Sequence, residues 1–408
     1  MKTRRIKTIL LFLSTMPFIG IYAQSIYYVS PHASSGGDGS PATPFHIIHE
    51  AVEKARKDKN CTTIYLREGE YILDTPLVLT SADGNDSKEL IIRNYPGEKA
   101  IISSGITLDL KWEKYKNGIM RAAVKGNPVM DMLIVNGDLR SMARYPDYDK
   151  TAVRFNGTSA LATAPERVKK WKNPEGGYFH AMHSHDWGDF HYRITGKNEK
   201  GELQLEGGWQ NNRPMGIHPE NRMVENIFEE LDAPGEWYYD KQEGWLYYYP
   251  LSDENINELV FETPQLKNLI EIAGTSSHPV KNITIEGIEL TQTIRTFMEH
   301  YEPLLRSDWT IYRGGAVIFR GTEKCTLRDC YIHHVGGNGV FFDKYNRNSA
   351  VTGSYLTSIG ASAICFVGDV AGVRSPSFRY GEFVPLDKMD TAKGSQNDNH
   401  PAYCEVYD

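Results

Sequence analysis

Apolar positions in the C-terminal third of the chain recur on a fixed beat. Residues 325–336 (CTLRDCYIHHVG) and 349–360 (SAVTGSYLTSIG) align position by position. Leu327, Cys330, Ile332, Val335 and Gly336 match Val351, Ser354, Leu356, Ile359 and Gly360, each 24 residues on. Residues 315–319, 339–343 and 363–367 keep the same step, and Cys404 to Asp408 restarts the pattern of Cys325 to Asp329. A fixed period of this size marks a solenoid, in which each coil buries its apolar side only against its neighbours. The last coil is read as broken off partway.

Upstream, Ile26 to Pro31 reads as a first strand and Gly36 to Ser40 as a turn-rich loop. Phe45, Ile48, Val52 and Ala55 then form one stripe of an amphipathic helix. That helix is expected to cap the solenoid, whose open end would otherwise expose unpaired backbone groups. Short apolar runs follow at 64–66, 77–79, 90–92 and 101–102, parted by turn residues, and the pattern resumes at 282–290. Strands this short suit three-sided coils. The predicted fold is all-β: a right-handed parallel β-helix with an N-terminal capping helix and a β-rich insertion. A leucine-rich repeat is the rival solenoid, but the Asn or Cys it needs is Val335 in one coil and Ile359 in the next.

The expected organisation is cap and first coils over 24–106, an inserted subdomain over 107–265, and further coils over 266–408. The insertion is aperiodic and aromatic, with a hairpin predicted across residues 236–250 around Lys241–Gly244. Two long excursions, 293–314 and 369–402, are read as leaving equivalent turns and walling one cleft. Loops of that length in a compact domain are usually functional or disordered.

Residues 1–23 have the form of a secretory signal. Lys2, Arg4, Arg5 and Lys7 precede an apolar run from Ile9 to Ile21, and Ala23 is the small residue before cleavage. The run is too short for a membrane span. A soluble periplasmic or secreted protein is expected. The net charge of −7 becomes −11 without those four basic residues, which argues against nucleic acid or an anionic membrane as partner. The five cysteines, Cys61, Cys325, Cys330, Cys365 and Cys404, lack zinc spacing. They read as small buried residues, with a disulfide as the alternative that export permits.

The densest polar cluster is His183-Ser-His185-Asp-Trp187-Gly-Asp189-Phe-His191. On a strand His183 and His185 would share one face. A plain surface strand, sugar binding with Trp187 stacked on a pyranose, and metal binding all remain open for it. The aromatic run 236–250 reads as hairpin glue first and as a carbohydrate platform second. Asp308, Trp309, Asp369 and Arg374 lie in the excursions, where two carboxyl groups flanking a bond would serve glycoside cleavage. Tyr345, Asn346 and Arg347 follow a strand and read equally as turn or sugar-binding residues. Asn338 and Asn348 read as turn or ladder residues. No nucleophile elbow, phosphate loop or dinucleotide fingerprint is visible.

Several of these segments together resemble glycoside hydrolase family 141. They are Val135 to Pro146, His183 to Trp187, Leu305 to Thr310, Gly336 to Gly339, Tyr345 to Arg347, Cys365 to Asp369 and Val373 to Pro376. The resemblance implies a secreted β-helix enzyme acting on plant cell-wall polysaccharide, with α-L-fucosidase or xylanase activity. Members of that family are longer. Their acidic catalytic stretch has no counterpart in this sequence, so no catalytic pair carries over and the chain is read as truncated. The resemblance leaves His183, Trp187, Trp309, Tyr345, Asn346 and Arg374 as substrate-binding residues. Asp308 and Asp369 are acid or base candidates from residue type and loop position alone. No cofactor and no metal centre are expected. A polysaccharide lyase on the same scaffold and a non-catalytic glycan-binding protein are the alternatives.

Overall fold

The computed structural model describes residues 24–211, 216–303, 310–374 and 385–408. The candidate signal and the positions of Asp308 and Trp309 lie outside them. Three parallel sheets form the body of the molecule. The first runs Ser25–Val29, Cys61–Leu66, Leu90–Asn94, Ile283–Glu286, Thr326–Arg328, Ala350–Thr352 and Glu405–Tyr407. The second runs Gly69–Ile72, Ala100–Ser103, Glu289–Thr293, Tyr331–Val335 and Tyr355–Leu356. The third runs Leu77–Leu79, Ile270–Ala273, Val317–Glu323, Val340–Arg347 and Ile364–Val367. From Cys61 onward the chain visits first, second and third sheet in that order, circuit after circuit.

Each circuit stacks its inward side chains on those of the last. Leu327 pairs with Val351 and Val351 with Val406 in the first sheet, and Ile332 pairs with Leu356 in the second. The columns Ile64, Ile92, Ile285, Leu327 and Ile102, Leu290, Ile332 are fully buried. Each such side chain contributes about 1.5–3 kcal/mol of transfer free energy. The corners repeat as well. Asn282, Lys324, Asn348 and Tyr403 take φ of 56°, 55°, 50° and 56° where the third sheet hands over to the first. Gly287, Asp329 and Gly353 do the same between first and second, at 67°, 53° and 56°. Asn338 is a ladder residue: its Nδ2 donates to Gly314 O (2.8 Å) and its Oδ1 accepts from Ser362 N–H (3.1 Å).

The third sheet departs from the expected step. Val317 pairs with Val340 and Phe319 with Phe342, one residue short of 24. A bulge in the strand Val340–Arg347 restores the count, so that Thr322 pairs with Asn346. Lys344 sits in it at φ 59°. A bulge leaves an extra residue unpaired and re-aims its side chains.

The helix Ile48–Lys57 buries Ile48, Ala51, Val52 and Ala55 against the first-sheet end of the core. Phe45 lies before the helix and bridges to Val29. The five cysteines are free thiols, four of them buried. Among the described residues no helix is long and apolar enough to cross a membrane.

Between the second-sheet strand Ala100–Ser103 and the third-sheet strand Ile270–Ala273 lie three antiparallel sheets. Trp237–Asp240 and Trp245–Tyr248 form the expected hairpin. Trp237 and Tyr248 are fully buried in it, so these rings are core rather than a platform. The five-stranded sheet contains Tyr178–His183, Asp189–Lys197 and Ile217–Glu225.

Candidate functional site

The His–Trp cluster is the tip of a hairpin. Tyr178–His183 pairs with Asp189–Lys197, bringing His180 opposite His191. The connecting turn has Asp186 at φ 57° and Gly188 at φ 155°. Arg154 and Asn221 each bond the Asp186 carboxylate at 3.0 Å, which pins the turn and holds that carboxyl below its usual range. His183 is buried and its Nδ1 accepts the N–H of His185 (3.1 Å). The strand ends at His183, so the two histidines do not share a strand face. Trp187 is 49% exposed, and its ring lies nearly parallel to that of His183 (5.8 Å, 10°). His185 flanks it at 5.4 Å. A rigidly held, outward-facing indole is a surface on which a sugar ring can stack. Among the described residues no set of three or more His, Cys, Asp and Glu is arranged to hold a metal.

Behind the tip lies a buried charged cluster. His180 Nδ1 and His191 Nδ1 are 2.7 Å apart, so one of them carries the proton. His180 Nε2 lies 3.3 Å from Glu225 Oε1, and His191 Nε2 lies 3.3 Å from Asp189 Oδ2. Arg295, from the start of the first excursion, bonds Glu225 and clamps Asp131 Oδ1 through Nε (3.0 Å) and Nη2 (2.9 Å). Its guanidinium also sits over the Phe297 ring at 4.6 Å. Burial opposes charge on Glu225, but Arg295 and then His180 hold its carboxyl well below the usual range. Burial pushes the His180 imidazole down. Asp189 is only partly desolvated, its side chain 45% exposed, and its bond with His191 holds the carboxyl below the usual range. The imidazole pair thus links a buried carboxylate to one at the surface.

Gln210 ties this sheet to the first excursion. It accepts from His191 N–H (3.1 Å) and donates to Phe297 O (2.7 Å), while Thr310 bonds its carbonyl. The excursion ends at the third sheet. There Arg313 bonds Glu302 (2.6 Å), Asp343 (2.6 Å) and Gly368 O (2.7 Å). Arg320 takes the other oxygen of Asp343 at 2.7 Å. The two excursions do not leave equivalent corners. The first runs from second sheet to third, and the second leaves and rejoins the third, between Ile364–Val367 and Pro401–Ala402. They meet nonetheless at Arg313.

The remaining described candidates lie on the third-sheet strand Val340–Arg347 and in the second excursion. Asp369 caps the short helix Val370–Gly372 by accepting from Ala371 N–H (2.9 Å), and it also binds Asn399 (2.8 Å) and Lys344 (3.2 Å). The Ala371 bond, with Lys344, holds its carboxyl below the usual range. Tyr345 is turned by the bulge toward Glu323, to which its hydroxyl donates (2.7 Å). Asn346 is fully buried: it accepts from Thr322 Oγ1 (2.6 Å) and donates to Asp343 O (3.0 Å). Its amide is spent inside the circuit and does not face a substrate. Arg374 bonds Asp390 (2.7 Å), Gly394 O (2.8 Å) and Ser395 O (2.9 Å), closing the second excursion on itself.

Reading along the chain misses His180, Glu225, Arg295, Asp131 and Arg313. His180 and His191 are equidistant from the hairpin turn, a signal available once that hairpin is assumed. Asp131 and Arg295 are 164 residues apart, and no local pattern joins them.

No family model matches the sequence. It is 34% identical to an uncharacterised protein, YwoF, of Bacillus subtilis (strain 168) over 88 residues, which is 21% of this chain and 17% of that protein. A solved glycoside hydrolase superposes with a TM-score of 0.67 at 20% identity, covering 90% of this chain and 70% of that one. XylC in complex with xylose gives a TM-score of 0.43 at 12% identity, over 83% of this chain and 51% of the other. The chain therefore shares the fold of a glycoside hydrolase structure.

Proposed function

We propose that this protein is an exported carbohydrate-active enzyme: a right-handed parallel β-helix related to glycoside hydrolase family 141, hydrolysing fucosyl or xylosyl linkages of plant cell-wall polysaccharide. Residues 24–106 and 266–408 build the helix, residues 107–265 the subdomain that carries the sugar platform, and residues 1–23 the export signal. The observation that carries this reading is Trp187, half-exposed and held parallel to a buried histidine in the hairpin whose Asp189 carboxyl is held low by His191. An ionised carboxylate backed by an imidazole pair suits a base. Asp369, whose carboxyl is also held below the usual range, and Asp308 of the first excursion are the further acid or base candidates, by residue type and loop position.

The test is release of fucose or xylose from arabinoxylan and pectic oligosaccharides by the full chain, with and without chelator. Release should be indifferent to chelator and fall about tenfold in Trp187→Ala, with unchanged thermal unfolding. An unsaturated, ultraviolet-absorbing product would mean a lyase. Binding without release would favour the glycan-binding reading. Neither binding nor release would sink the proposal.

A further inference from the structure

The outer face of the second sheet carries a second constellation. Register places Glu70, Ile101, Glu289, Tyr331 and Tyr355 in one column across five successive strands. Ser103, Thr291 and His333 form the next column on the same face. Tyr331 and Tyr355 stack at 5.7 Å and 18°, and Tyr331 stacks on His333 at 4.4 Å and 22°. Stacked rings inside the circuits, such as Phe319 on Phe342, are fully buried and account for themselves as packing. The tyrosines instead leave 38% and 66% of their surface to solvent.

The polar groups around them are fixed. Glu289 is held by His333 Nε2 (3.0 Å) and Lys99 Nζ (2.7 Å), which leaves lone pairs on both carboxylate oxygens. One side of the face is flanked by the inserted strand Phe261–Pro264, whose Glu262 accepts from Gln292 Nε2 at 3.3 Å. Beyond Glu289 and Tyr331, toward the first sheet, a recess of about 320 Å³ is lined by Asn94, Lys99 and Asp329 among others. Partial burial and the neighbouring Glu262 raise the Glu70 carboxyl above its usual range. Carboxyl groups outnumber the one lysine, so a polyuronate would be repelled.

We propose that this face is a second glycan-binding groove, distinct from the Trp187 hairpin, that takes a neutral polysaccharide chain. Tyr331 and Tyr355 form the stacking platform, and Glu70, Glu289 and Lys99 bind hydroxyls. Rings in a row along the stacked strands suit a linear chain laid across the circuits.

The test is native affinity electrophoresis of the full chain in gels containing arabinoxylan, xyloglucan or polygalacturonate. At least one neutral polysaccharide should retard Trp187→Ala, which separates this groove from the hairpin. Adding Tyr355→Ala should weaken that retardation about fivefold, and Tyr355→Phe should restore it. Tyr355 is 66% exposed, so its replacement leaves the core intact even if Tyr331→Ala unfolds. No retardation by either neutral polysaccharide, no change with Tyr355→Ala, or stronger retardation by polygalacturonate would each overturn the proposal.

Discussion

The circuits and the junction beneath the inserted sheet bury their side chains on opposite terms. The interior of the circuits is almost purely apolar, with Leu327, Ile332, Phe319 and Phe342 at full burial. The junction buries an arginine, two carboxylates and two histidines in mutual contact. The first arrangement is non-directional and indifferent to pH. The second stands only while every charge keeps its partner, since an unpaired buried charge costs far more than the pair returns. A scaffold of the first kind can hold a cluster of the second kind.

Arg295→Ala should break the contrast most severely. It strands Glu225 and Asp131, and chemical denaturation should show a loss of about 4 kcal/mol. Leu327→Ala, at the heart of the apolar column, should cost about 3 kcal/mol through lost transfer energy and an unfilled cavity. If Arg295→Ala proves the milder change, the junction is wetter than its contacts imply.

A third change sharpens the pH side of the comparison. Burial, with Asp147 and Asp232 near, pushes the Glu236 carboxyl up to about 8. The native protein therefore keeps a proton that the unfolded chain has released, and stability falls as pH rises from the ordinary carboxylate range toward 8. Glu236→Gln should flatten that slope, by up to about 1.4 kcal/mol per pH unit within the window, read from denaturation midpoints at several pH values. Glu225 works in the other direction. Its carboxyl is held low, so its contribution is present above the ordinary range and lost as pH falls.

How much of this was legible depended on whether the cause was local. Leu327 and Val351 stack as their spacing requires, because inward positions of a repeating circuit must meet their equivalents. The third sheet slipped by one residue because a bulge, which no composition signal marks, inserts Lys344. The Trp237–Tyr248 hairpin was visible from its turn, and burial decided that its rings are core. Of the site, His183 and Trp187 announced themselves as a dense cluster. Asn346 looked like a sugar-binding amide in sequence, and only its burial shows the ladder role. Arg295, Asp131 and Glu225 come together from three distant segments, which is a tertiary fact.

The left-handed corners have an evolutionary corollary. Asn282, Lys324 and Asn348 occupy the same corner in consecutive circuits, so the position accepts unlike residues at one geometry. A duplication of residues 325–348 would carry its own corner and its own three inward faces. Such a gene could grow by whole units, each moving the two excursions about 4.8 Å further apart or leaving them untouched, according to where it entered. The spacing of the excursions would then be inherited in discrete steps.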